Sequence, residues 1–276
     1  MEDKAFRQLL DYLRLSWPGY RKVRKGVKKR IARHMEQCGC RTMEDYIRLL
    51  EQEQGLRMRC EQLMAVSISR FFRDRALWVT LAEDILPRMI VRHFDTLRVW
   101  CAGCACGEEV YSLKILWEGL KHRFDHLPVL EIMATDISPA YVARAKAGVY
   151  TRSSLKEVPE GVRSRYFRPQ KVRDTFAVTP LLKKGILWKR QHLLSDFPEG
   201  SFHLILLRNN LLTYYVEEVK GPVFEKVIAR LELAGYLIIG SHEKVPAPTP
   251  ALKNLEGHPC IFQRILATGS YGDDMV

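Results

Sequence analysis

The feature that most constrains this chain is a change of rhythm near residue 95. Beyond it, short apolar runs alternate with helical stretches, the pattern of strands stacked side by side with helices crossing over them. The strands expected are Leu97–Ala102, Leu130–Thr135, Leu187–Leu193, Phe202–Leu207, Tyr236–Gly240 and Ile261–Leu266, with helices over Glu108–Leu120, Pro139–Ala147 and Val216–Leu233. The stretch from Tyr150 to Gly185 has no clear period and reads as loops with short strands or helical turns over one end of the sheet. The last residues, GSYGDDMV, read as a mobile tail.

Residues 1–90 carry helical patterns and almost no strand pattern, with stretches around Met43–Glu53 and from Asp74 to His93, the latter with Leu77, Leu81 and Ile85 on one side. The division expected is a basic helical domain over 1–73, a linker helix over 74–95 and an α/β domain over 96–276. Charge is placed unevenly. The chain's net charge is +12, and residues 1–80 hold 18 Lys and Arg against 10 Asp and Glu. Much of that excess lies between Arg21 and Arg33, where Val23, Val27, Ile31 and Met35 recur every four residues as one helix face would. An amphipathic basic helix of this kind suits an acidic protein surface, nucleic acid or an anionic membrane, or is simply a solvated face. No reader motif for nucleic acid accompanies it, so nucleic acid is the weaker expectation.

Seven cysteines, an odd number, are scattered through helical and strand patterns, and the opening MEDKAFRQLL has charges where a secretory signal needs an apolar run, so a cytoplasmic, soluble protein is expected. Cys101, Cys104 and Cys106, even with Cys38 and Cys40, lack repeated C-x-x-C zinc spacing, and no metal is expected. Hydrolase motifs such as G-x-S-x-G and H-E-x-x-H are absent from the sequence.

The chemistry is signalled where the first strand runs into Ala102-Gly103-Cys104-Ala105-Cys106-Gly107-Glu108-Glu109, a turn sharp enough to need glycine beside a ligand. The second strand ends in Ala134-Thr135-Asp136-Ile137, which places a carboxylate where it can accept both hydroxyls of a ribose. Dinucleotides and S-adenosylmethionine both use this geometry. The glutamates favour the second, because Glu108 and Glu109 in the first helical turn would repel a pyrophosphate, and Gly103-x-x-x-Gly107 lacks the full dinucleotide fingerprint. Plain capping against the helix dipole also accounts for a glutamate there.

At these residues the chain resembles the CheR family of chemotaxis-receptor methyltransferases, which move a methyl group from S-adenosylmethionine to receptor glutamates. Ser69 to Asp74, within SISRFFRD, looks like the family's T-x-F-F-R-E segment, and AGCACGEEVYS over 102–112 is similar to A-G-C-S-T-G-E-E-P-Y-S. ATDIS, AKAGVY, HLLSDF, LRNNLLTYY and GYLIIGSHE fall where the family has counterparts. The resemblance implies an α/β class I methyltransferase (Rossmann-like) mixed sheet with helices on both faces, preceded by a small all-helical domain, with S-adenosylmethionine as cofactor. It further implies that Ser69 and Arg73 reach the cofactor or acceptor, that Glu109 holds the methionine part and Asp136 the ribose, and that Gly103 and Ile137 also bind the cofactor. His192 and Leu193 would flank the adenine, and Arg208 and Asn209 would line the floor.

His192 stands where the family usually has asparagine, and a buried structural histidine is the alternative there. In LRNNLLTYY, Thr213 stands at the family's tyrosine, so Tyr214 or Tyr215 takes that role or the acceptor differs. Arg73 and Tyr214 are therefore the candidate catalytic pair, and Arg24, Lys28 and Arg33 the candidate contacts to an acidic helical substrate such as a chemoreceptor cytoplasmic domain. Two further readings stand beside protein-glutamate methylation: transfer to another protein or small-molecule acceptor, and a module that binds S-adenosylmethionine or adenosylhomocysteine without turnover.

Overall fold

The computed structural model describes residues 1–66, 69–92, 95–246 and 249–266. Ser67 and Ile68 of the SISRFFRD segment, His93 at the end of the expected linker helix, and the tail from Gly269 onward lie outside them.

The chain opens with five helices: α1 (Asp3–Tyr12), α2 (Trp17–Tyr20), α3 (Arg24–Gln37), α4 (Met43–Gln52) and α5 (Gln54–Met64). They close around a core of their own that includes Phe6, Leu9, Ile31, Tyr46, Leu50 and Met64. The apolar stripe of the basic helix α3 faces inward, with Val27 and Ile31 fully buried, while its cations stay outside. Thr42 starts α4 by accepting the Asp45 N–H at 3.1 Å, one of the otherwise orphaned donors of a helix start.

The linker is not one uniform helix. It runs as α6 (Arg75–Thr80), a π-helical turn over Leu81–Ile85, and α7 (Leu86–Arg92), still with Leu77, Leu81 and Ile85 buried. Pro87 explains the wide turn, since it has no N–H for the carbonyl four residues back and its ring crowds that position.

The α/β part contains β1 (Thr96–Ala102), α8 (Glu108–Leu120), β2 (Val129–Asp136), α9 (Pro139–Ala147), β3 (Val149–Thr151), α10 (Glu160–Tyr166), β4 (Phe167–Pro169) and β5 (Thr175–Val178). It continues through α11 (Pro180–Lys183), β6 (Ile186–Arg190), β7 (Phe202–Leu207), α12 (Leu211–Tyr214), α13 (Glu217–Ala229), β8 (Leu231–Ile239), β9 (Leu252–Leu255) and β10 (His258–Arg264). The main sheet has the order β6-β2-β1-β7-β8-β10-β9. Neighbours from β6 to β8 pair in parallel, and β10 runs antiparallel to β8 and β9. Alternate residues of β1 feed two cores: Leu97, Val99 and Cys101 pack on one face, Trp100 and Ala102 on the other. The sheet is thus covered on both sides.

The helix expected over Val216–Leu233 ends at Ala229, because Leu231 and Leu233 belong to β8. The strand expected over Leu187–Leu193 stops at Arg190, and the last strand spans His258–Arg264 rather than Ile261–Leu266. The Tyr150–Gly185 region holds a second sheet of order β3-β5-β4. Phe71 pins the linker to it, stacking edge-on against Tyr150 and Phe167 at 4.9 and 5.1 Å.

Candidate active site

Strand order reverses at β1, which has β2 on one side and β7 on the other, and the crevice beyond the carboxyl ends of such strands is where α/β sheets take ligands. A cavity of about 230 Å³ lies there, walled on one side by the strand ends and on the other by α1 and α5.

On the sheet side the turn after β1 alternates left-handed residues, with φ of +78° at Gly103, +47° at Ala105 and +87° at Gly107. The Gly103 and Cys104 N–H groups both donate to the Thr135 carbonyl at 2.8 Å, tying the turn to the end of β2. A Cβ on Gly103 would overlap the Asn210 side-chain amide, which donates to the Ala102 carbonyl at 2.5 Å. The glycine therefore lets the turn close against Asn210, and the two form a cradle in the cavity wall that a side chain at this position would break.

Asp136 sits at the rim of that cradle, 8% exposed. Its Oδ2 accepts the Ala105 N–H and its Oδ1 the Ser138 N–H, both at 2.9 Å. Each oxygen keeps a lone pair, so the carboxylate can accept two hydroxyls from a diol. Burial pushes its pKa above the ordinary value, and the two N–H donors pull against that.

Behind the cavity lies an ion network centred on the buried Arg208. The Arg208 guanidinium donates to Asp74 at 2.5 Å and to Glu109. Burial works against its charge, but the two carboxylates more than offset it and its pKa is raised. Glu109 is thus engaged by Arg208. The neighbouring Glu108 is buried, which raises its pKa, and it receives a hydrogen bond from Ser69. Two non-glycine residues with positive φ, Phe72 at +53° and Asp74 at +63°, bracket Arg73 and turn it out of any regular path. Its Nη2 donates to Asn209 Oδ1 at 3.4 Å. Asn209 is itself left-handed, with φ of +54°, and its N–H is held by Glu243 Oε2 at 2.9 Å. Strain gathered at three positions around one guanidinium marks a place where geometry is fixed at a cost.

The structure brings Gly103, Asp136 and Ile137 to the cavity wall together with His192, Leu193, Asn209 and Tyr214. Ser69, Arg73, Glu109 and Arg208 do not line it: Arg73 is joined to the wall through Asn209, Arg208 holds Glu109, and Ser69 bonds Glu108 in the layer behind. Tyr214 packs against Tyr20 with ring centroids 4.9 Å apart. Thr213 donates to Glu243 Oε1 at 2.5 Å, so it braces the same carboxylate that holds Asn209. Arg24, Lys28 and Arg33 lie apart from the cavity, on α3. Arg24 and Lys28 both pair with Asp3, at 3.3 and 2.5 Å, and Arg33 is exposed.

Several residues that sequence reasoning did not single out also contribute. Glu61 on α5 meets His192 Nε2 at 3.4 Å across the cavity. Burial raises its pKa, but His192 and Arg57 outweigh that and the carboxyl sits below its usual range. Gln191 is buried in the wall, and Glu243 organises three elements. Only Glu243 had a signal, its place in GYLIIGSHE.

The residues present fit S-adenosylmethionine: a glycine cradle, a diol-accepting carboxylate and a polar layer of paired charges. A parallel sheet with an antiparallel strand near one edge and this site at its switch point defines a class I S-adenosylmethionine-dependent methyltransferase. Residues 67–261 match the family described as "CheR methyltransferase, SAM binding domain". A chemotaxis protein methyltransferase from Listeria monocytogenes is 32% identical over 225 residues, covering 80% of this chain and 82% of its own. Chemotaxis protein methyltransferase 1 from Pseudomonas aeruginosa is 29% identical over 237 residues, covering 84% of each chain. Among solved structures, the N-methyltransferase NodS from Bradyrhizobium japonicum covers 70% of this chain and 99% of its own at 14% identity and a TM-score of 0.36, too loose a match to bear on function. The chain belongs to the CheR methyltransferase family, and its cofactor is S-adenosylmethionine.

Proposed function

We propose that the methyl acceptor is a glutamate side chain on an acidic helical segment of a chemoreceptor-like protein, and that the enzyme meets it in the cytoplasm. The similarity to chemotaxis protein methyltransferases over four fifths of the chain is the observation that carries this. The cations at Arg21, Lys22, Lys25, Lys29 and Arg33, all exposed on or just ahead of α3, support an acidic partner. Arg24 and Lys28 add to that field while their partner Asp3 holds them in place. Among the described residues no disulfide joins the seven cysteines, as suits a reducing compartment, and no helix is long and apolar enough to cross a membrane.

When bound, the sulfonium would supply an activated methyl group: the O–CH3 bond to a carboxylate oxygen would form in line as the C–S bond breaks, with neutral S-adenosylhomocysteine leaving and no covalent enzyme intermediate. A glutamate is already ionised near neutral pH, so no general base is required. The chain's task is orientation and partial removal of water. In this proposal Asp136 and Ile137 hold the ribose, Gly103 makes room for the methionine part, and Ser69 and Glu109 shape its surroundings. Leu193 and His192 flank the base, and Arg208 holds the Glu109 and Asp74 side chains in place. Arg73, set by Asn209, donates to the incoming carboxylate, with Tyr214 beside it. Burial raises the Tyr214 pKa, so it stays a neutral phenol able to donate a hydrogen bond.

Methyl-labelled cofactor and a receptor cytoplasmic fragment test this. Label on the fragment that base treatment releases is the expected ester. Base-stable label, or label on another acceptor only, contradicts a carboxylate target.

A further inference from the structure

We infer that Gln191, rather than His192, reads the amino group of the cofactor's adenine. The case begins with what His192 can offer. Its Nδ1 accepts the Leu194 N–H at 3.2 Å, which puts the ring proton of a neutral imidazole on Nε2. That Nε2 faces Glu61 Oε2 at 3.4 Å. Both nitrogens are committed, one as acceptor and one as donor. The imidazole has no lone pair left for an amine.

Gln191 is one residue earlier, where the chain has just left β6, and its N–H is fixed to the Asp136 carbonyl at 3.0 Å. The side chain lines the same cavity as Asp136 and is 8% exposed. Its Nε2 points to Asp196 Oδ1 at 3.5 Å, and because a carboxylate can only accept, this fixes which end of the amide is which. The other end, Oε1, is buried with no donor in reach. A buried carbonyl oxygen left without a donor is costly, and such orphans ask for a ligand. The 6-amino group of adenine is a donor of the right kind. A 6-oxo group, which can only accept there, would set oxygen against oxygen.

His192 is thereby freed for a different task. It holds Glu61, and with it α5, against the sheet side of the cleft. Base recognition and closure are then divided between adjacent residues.

The test is calorimetric and needs no methyl acceptor. S-adenosylhomocysteine and its deaminated analogue S-inosylhomocysteine are titrated into the wild type, Gln191→Met and Gln191→Glu, with thermal midpoints to confirm folding. The wild type should prefer the adenosyl compound by about 100-fold, since a site with a buried acceptor rejects an analogue lacking the donor. Gln191→Met should bring the two ligands within about fivefold, and Gln191→Glu, which keeps an acceptor but sets its second oxygen against Asp196, should hold the preference above that of Gln191→Met. A Gln191→Met protein with the full wild-type preference overturns the inference, as does collapse of the preference in His192→Phe with Gln191 intact. Failure of the wild type to bind either compound would remove the cofactor itself, and this inference with it.

Discussion

The two walls of the cleft are built on different principles. The sheet wall is held by backbone: the Gly103 turn hangs from the Thr135 carbonyl, Asp136 from two N–H groups, and Asn209 from Glu243, all at 2.8–2.9 Å. The helical wall presents side chains from a separate core. It meets the sheet side through contacts that include the Ser16 N–H on the Tyr214 carbonyl at 2.7 Å, the Val216 N–H on the Arg14 carbonyl at 3.2 Å, the Tyr20 ring on Tyr214, and Glu61 on His192. Groups fixed by backbone are preorganised, as a site that aligns three reacting atoms requires. Groups carried by a separately packed layer can move with it, as a wall that must admit a ligand requires. Changes on the sheet wall should therefore cost far more than changes on the helical one.

The largest effect is expected behind the sheet wall. Arg208→Leu removes the buried countercharge of the partly exposed Asp74 and Glu109 carboxylates, which should cost about 3 kcal/mol in urea unfolding, the low end for breaking a buried pair. A loss under about 1 kcal/mol would show that the ion network is not what straps the linker to the sheet. Next comes Arg73→Ala, which should lower turnover by about 100-fold or more while the thermal midpoint moves by only a few degrees. Near-normal turnover would remove Arg73 from the chemistry.

Asp136→Asn should weaken S-adenosylhomocysteine by about 30-fold, roughly 2 kcal/mol. It should also cost the apo-protein about 1–3 kcal/mol, because an amide can accept from only one of the two backbone N–H groups that the carboxylate holds. The pH dependence follows from the sign of the shift. Burial raises the Asp136 pKa, so its contribution to folding is present below the unfolded value and lost as pH rises through the folded one. At pH 7 the ionised form is a cost borne for the ligand. Binding to the wild type should in turn weaken as pH falls through that raised value, a dependence the Asn variant should lack.

The smallest effect belongs to the helical wall. Glu61→Gln should change the same affinity by less than about threefold, because its partner is a quarter exposed and solvent screens the pair. Here the carboxyl is depressed, so its contribution is present above the unfolded value and lost as pH falls through the folded one. Stability differences between wild type and variant should vanish at acid pH. A Glu61 effect as large as that of Asp136 would erase the contrast between the walls.

That contrast also explains what the sequence could convey. The helices over Glu108–Leu120 and Pro139–Ala147 and the strand Phe202–Leu207 emerge with the expected bounds, because glycine, proline and serine punctuation and apolar period agree locally. The glycine turn and Asp136 are legible for the same reason, since backbone-held sites need particular residues at particular spacings. Thr213 shows where such reading ends: its hydroxyl turns to Glu243, 30 positions away, which no local pattern encodes. Glu61 and Gln191 are likewise set by tertiary approach, one from a helix unrelated in sequence and one by an orphaned amide oxygen. The β8 boundary was hidden because Leu231 and Leu233 continue a helical period that in fact breaks after Ala229.

Calorimetric titration of the wild-type protein with S-adenosylhomocysteine, run beside Asp136→Asn and Glu61→Gln, bears most directly on the sheet wall as the cofactor's grip. Saturable one-to-one binding, weakened about 30-fold by the first substitution and nearly untouched by the second, is the result predicted. Folded protein that gives no binding, or an Asp136→Asn variant that binds as tightly as the wild type, would contradict it.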